Sequence, residues 1–144
     1  MNFGRNEILI VIAVIAVLIL VAVPLLLSGN KNGQRDEVPL NVNAIRTAEI
    51  QYHDAFGDYI AAEAAPRKPH EVDPNPVAWE PSRGFKRLSW SPETEEVLGS
   101  YAVAATRKGF TVSGACDVDG DGARATFEAT LEAEAKATSA DNVY

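Results

Sequence analysis

Residues 3–24 read Phe-Gly-Arg-Asn-Glu-Ile-Leu-Ile-Val-Ile-Ala-Val-Ile-Ala-Val-Leu-Ile-Leu-Val-Ala-Val-Pro, and three leucines follow before Ser28. The uninterrupted apolar run, Ile8 to Leu27, is twenty residues long. At about 1.5 Å of rise per residue a helix of that length matches a hydrocarbon core roughly 30 Å thick. It ends on Ser28-Gly29-Asn30 with no Ala-x-Ala cleavage pattern, so it reads as a retained single span rather than a signal peptide. The short head and long acidic tail place the amino terminus in the cytoplasm. Two residues depart from a plain anchor. Glu7 stands at the rim of the run, and a carboxylate drawn to a bilayer centre costs about 2.5 kcal/mol or more, so it wants a partner. Pro24 lies inside the run, where it removes one backbone hydrogen bond and loosens the preceding turn.

Phe3, Glu7 and Pro24, with Glu7 four positions after Phe3 and Pro24 seventeen beyond Glu7, occur at the spacing found in the amino-terminal helix of type IV pilins and the pseudopilins of type II secretion. The stretch resembles that helix. Ala44-Ile-Arg-Thr-Ala-Glu-Ile-Gln-Tyr52 and Gly57-Asp-Tyr59 look like the family's second half-helix and its ending. The resemblance covers residues 3–60 well and the remainder loosely. It implies an α+β, pilin-like fold, in which one long helix has a membrane half and an amphipathic half packed on a small antiparallel sheet. It also implies a structural role. By that resemblance the subunit would be processed by a prepilin peptidase, methylated at its new amino terminus and assembled with copies of itself and other pilins. It would be a single-pass inner-membrane protein before assembly and part of a periplasmic or cell-surface filament afterwards. Glu7 would pair with the amine of Phe3 on a neighbouring subunit, and opposite charges meeting in apolar surroundings offset part of each other's desolvation. The leader departs from the family pattern: Met1-Asn2 precede Phe3 and Gly4 follows it, which leaves a start upstream, cleavage after Gly4 and no cleavage as alternatives.

The formal charge is −7, from 13 basic and 20 acidic residues, and Arg5 and Glu7 cancel, so the acidity belongs to the part after Leu27. Nucleic acid is excluded as a partner, since its binding depends on Lys and Arg displacing counterions from phosphates. The one cysteine, Cys116, makes no intrachain disulfide.

Six segments follow: residues 1–27 span the membrane and assemble; 28–39, with Gly29 and Gly33, form a weakened helix or linker; 40–57 form the amphipathic half-helix; 58–83 form a variable loop; 84–135 form the sheet with an acidic turn; 136–144 form a tail. The second helix restarts at Pro39, which suits a first turn. Its apolar face is Ile45, Ala48, Tyr52, Ala55, Phe56 and Tyr59, and Gly57 is its stop. His53 reads as a surface residue. Five of the eight prolines fall between 60 and 83, which makes that region irregular, with Trp79 as a cover over the sheet. Strands are expected at 85–90, 101–105, 110–116 and 125–134, with a turn at Arg107-Lys108-Gly109. Phe110, Val112, Cys116, Phe127, Ala129 and Leu131 would face inward, and Thr126, Glu128, Thr130 and Glu132 outward.

Asp117-Val-Asp119-Gly-Asp121-Gly122, then five residues and Glu128, satisfies the written pattern of a calcium loop. Three carboxylates within five residues repel one another, and a hard cation answers that repulsion. The flanks alternate with period two, so strands rather than EF-hand helices are expected, and on a strand Glu128 is poorly placed to reach the ion. Asp-Gly is also a strong turn signal. No cofactor is required, and Ca²⁺ is the one candidate. Gly120-Asp-Gly122-Ala-Arg-Ala125 fits a nucleotide loop only superficially, since no helix follows. No nucleophile elbow, C-x-x-C, H-E-x-x-H or P-loop occurs, so an enzyme is not expected. The alternative to a filament subunit is a membrane-anchored, non-polymerising module outside the cytoplasm that binds calcium or a partner.

Overall fold

The computed structural model describes residues 33–144, an α+β arrangement of one long helix on an antiparallel sheet. Phe3, Glu7, Pro24 and the apolar run 8–27 lie outside the described residues. Among the described residues no helix is long and apolar enough to cross a membrane.

Residues 33–35 are helical, Asp36 is a turn, and helix α1 spans Glu37–Phe56. The helix therefore starts two residues before Pro39, which takes the third position, where its missing N–H would lack an intrahelical partner in any case. Gly57 ends α1 at φ 79°, a left-handed conformation that glycine adopts without a Cβ penalty, and its N–H reaches the His53 carbonyl at 2.7 Å. The buried row is Val38, Val42, Ile45 and Glu49, steps of four, three and four residues. This corrects the expected face. Ile45 is common to both, Ala48, Tyr52 and Tyr59 are half-buried at the margin, and Ala55 and Phe56 are exposed where the helix runs past its support.

The sheet holds β1 (Ala62–Ala65), β4 (Ser100–Thr106), β5 (Gly109–Cys116), β6 (Ala125–Thr130) and β7 (Lys136–Ala137) in the spatial order β1-β4-β5-β6-β7, every pair antiparallel. Between β1 and β4 in the chain, β2 (Val77–Ala78) and β3 (Glu96–Val97) form a two-stranded ribbon. Thr106 pairs with Gly109 across Arg107 and Lys108, where the turn was expected. Phe110, Val112, Cys116, Phe127 and Ala129 are buried as the alternation requires, while Leu131 lies beyond β6, half-buried. Burial pushes the Cys116 thiol up to about 12, so it is a small core hydrophobe and not a nucleophile.

Three expectations fail here. Phe85–Trp90 is not a strand. Arg83–Leu88 forms the short helix α2, which buries Phe85 and Leu88 three residues apart and ends at Ser89 with φ 55°. The stretch 58–83 is not wholly irregular, because it contains β1, β2 and a 3-10 turn at Pro69–Glu71. Arg67 organises it, donating to the Asp73 carboxylate at 3.1 Å and to the Asn75 and Leu98 carbonyls at 3.1 and 2.9 Å. The tail 136–144 contains β7, and Val143 and Tyr144 pack against the core. Trp79 does cover one end of the sheet, its ring centroid 5.4 Å from Phe85, 5.2 Å from Trp90 and 6.4 Å from Tyr101.

Candidate functional site

Two features of the described residues carry chemistry: the polar contacts and open face of α1, and the aspartate loop between β5 and β6, which the sequence singles out.

α1 is fixed to the sheet at both edges by polar bonds to backbone groups. Near its start the Glu37 carboxylate accepts the Leu98 N–H at 3.1 Å, the Gly99 N–H at 3.2 Å and the Tyr101 hydroxyl at 2.8 Å. Asn41 donates to the same hydroxyl at 3.0 Å. Burial, then the neighbouring Glu37 charge, hold the Tyr101 phenol far above its ordinary value, so it stays a neutral donor. On the other edge Arg46 donates to the Thr130 and Leu131 carbonyls at 2.7 and 2.9 Å, and Asn43 accepts the Ala135 N–H at 2.7 Å. With one face buried and both flanks bonded, the remaining face of α1 is left uncovered by the described residues, with Leu40, Ala44, Thr47 and Gln51 exposed. Leu40 is 70% exposed there, beside a groove of about 870 Å³ lined by Ala44, Ala48, Tyr52, Trp90 and Pro92. Sequence reasoning placed the helix but missed Glu37 and Glu49. The one available signal was their position, since Glu49 falls four residues after Ile45 on the inward row.

In the aspartate loop Asp117 is buried and its two carboxylate oxygens accept the Gly120 N–H at 2.9 Å and the Gly122 N–H at 3.0 Å. Gly120 and Gly122 have φ of 72° and 84°. Asp121 accepts the Ala123 N–H at 2.8 Å. This folding brings one carboxylate oxygen from each of Asp117, Asp119 and Asp121 within 4.8 Å of one another. Oxygens so placed suit a hard cation, although the backbone N–H groups already satisfy part of their demand. Glu128 stands apart from this group, exposed on β6, paired with Ser113 on one side and Lys136 on the other. The flanks are β5 and β6, not helices.

No family model, curated protein or solved structure matches the chain.

Proposed function

We propose that the chain is a structural subunit of a type IV pilus-like or pseudopilus filament, held in the inner membrane by residues 8–27 and polymerised through that same segment into a periplasmic or cell-surface fibre. The observation that carries this reading is the uncovered face of α1, a helix packed and bonded on its other sides that follows a membrane-length apolar run after residues 28–36. On this reading the run and α1 form one long helix loosened near Asp36 and at Pro24. Neighbouring subunits pack their apolar halves by dispersion, with Glu7 setting register against the amine of Phe3. The partners are copies of this chain, other pilins, a prepilin peptidase and the assembly machinery. The acidic sheet domain faces outward and does no catalysis.

Glu7→Ala tests it. Removing one member of a buried charge pair costs roughly 3–5 kcal/mol, so filament yield in sheared surface material should fall more than tenfold while the membrane fraction keeps its usual amount of subunit. Electron microscopy of the sheared fraction gives the count, and undiminished filaments would contradict the pairing.

The convergence of Asp117, Asp119 and Asp121 favours a second reading, an anchored module that captures calcium without polymerising. At a calcium concentration about a hundred times the dissociation constant, linkage adds about 2.7 kcal/mol to stability, several degrees in Tm. The full chain in detergent should therefore melt higher with millimolar calcium than with magnesium, and Asp119→Ala should abolish the difference. Identical melts in both salts rule calcium out.

A further inference from the structure

We propose that Glu49 is a proton-operated latch, whose neutral carboxyl fastens the turn after α1 to the helix and whose ionisation frees that turn. Glu49 is 0% exposed and sits on the inward row of α1 after three aliphatic side chains. One of its oxygens accepts the Ile60 N–H at 2.9 Å, across the Gly57 reversal that carries the chain from α1 into β1. The other oxygen is equally buried and has no hydrogen-bond partner. An ionised carboxylate seeks about four donors and here finds one, so the charged form is stable only if the turn opens and water enters.

Among the described residues no ionised neighbour offsets that demand. On α1 itself, Arg46 is turned to the Thr130 and Leu131 carbonyls, and the His53 ring is stacked on Tyr59 with centroids 4.3 Å apart. Asp54 and Asp58 are exposed. Of the elements packed on α1, β5 contributes only the buried Cys116 thiol, while β6 carries Glu128 exposed. α2 carries Arg83, Lys86 and Arg87, all exposed. Tyr101 of β4 is engaged by Glu37 and Asn41. Burial accordingly raises the Glu49 carboxyl from its ordinary value of 4.5 to about 7, the Ile60 bond pulling the other way. Between those values the folded chain holds a proton that the unfolded chain has lost. Stability then falls as pH rises through that window and levels off above it.

The turn it holds is also anchored by rings. Tyr59 lies between His53 and Phe110, at 4.3 and 5.2 Å, so opening at Glu49 disturbs the end of α1 and the first strand together.

The test is hydrogen exchange on the full chain in detergent, corrected for intrinsic rates, together with thermal melts from about pH 5 to about pH 8. Protection of residues 57–62 should fall on the order of a hundredfold across that range, with a matching drop in Tm, and Glu49→Gln should flatten both curves. A wild-type chain with no such step, or a Gln variant that keeps it, overturns the latch. If the Gln variant does not fold, the carboxyl carbon of Glu49 in the wild-type chain is titrated by NMR. A midpoint near 7 supports the proposal, and one at the ordinary 4.5 overturns it.

Discussion

Gly114→Val should destabilise the chain by more than about 3 kcal/mol. Gly114 is the central inward position of β5, in register with Tyr101 on β4 and Phe127 on β6. A Cβ placed there would lie 2.6 Å from Val38 Cγ1 and 2.7 Å from Val42 Cγ2, and 3.4 Å from the Tyr101 ring. Both valines are fully buried on α1, and a β-branched side chain in a helix is confined almost to one χ1 rotamer. They cannot turn aside, so the helix must lift. Overpacking by a single methyl typically costs about 1–3 kcal/mol, and valine brings three carbons into the notch. Lifting α1 also strains the bonds from Glu37 and Arg46 that need it where it lies. Against a total stability of roughly 5–15 kcal/mol, the expected loss of more than about 3 kcal/mol lowers Tm by over 10 °C or abolishes the transition. Gly109→Ala is the control, because its Cβ would meet nothing nearer than Leu131 Cβ at 4.0 Å. That variant should melt within a few degrees of wild type, raised slightly by the lower entropy of its unfolded chain. A Gly114→Val chain melting with wild type would show that α1 does not seat in this notch.

The same contact explains why some of this architecture was legible in the sequence and some was not. The hairpin of β4 and β5 and the strand β6 are long enough for alternation to mark which side chains face inward, and the buried set Phe110, Val112, Cys116, Phe127 and Ala129 follows directly. The stripe of α1 was misread by one or two positions. Val38 precedes the expected restart at Pro39 and Val42 falls in the first turn after it, while Ala55 and Phe56 continue the period beyond the sheet. Over a six-residue stretch, spacings of two and three cannot be separated by eye, and Phe85 and Leu88 fit a helix as well as Leu88 and Trp90 fit a strand. Strands of two to four residues among prolines leave no periodic trace. The aspartate triad was visible because its members fall within five residues. Glu37 and Glu49 were not, because their partners are supplied by backbone N–H groups 61 and 11 residues away.

Glu37→Ala should be the most damaging change at an acidic position. Its carboxylate is the acceptor for three donors, the Leu98 and Gly99 N–H groups and the Tyr101 hydroxyl. Leu98, Gly99 and Tyr101 are all buried, so water does not replace the lost acceptor without entering the core. A buried donor left unsatisfied costs about 1–3 kcal/mol, and the Tyr101 hydroxyl would retain only the Asn41 NH₂ group, which donates to it and leaves its own proton without an acceptor. The loss of a first-turn carboxylate from the positive end of α1 adds a few tenths of a kcal/mol. The sum is about 3 kcal/mol or more. Glu37→Gln separates the causes: it keeps one carbonyl acceptor but sets an NH₂ group against the Leu98 N–H, which cannot receive it, so its stability should fall between wild type and Ala. Denaturant titration of the full chain in detergent measures the order. Hydrogen exchange should show Leu98 and Gly99 losing protection in the Ala variant well before Phe127 and Ala129 do. Were Ala to cost less than about 1 kcal/mol, the start of α1 would be held by apolar packing alone and not through Glu37.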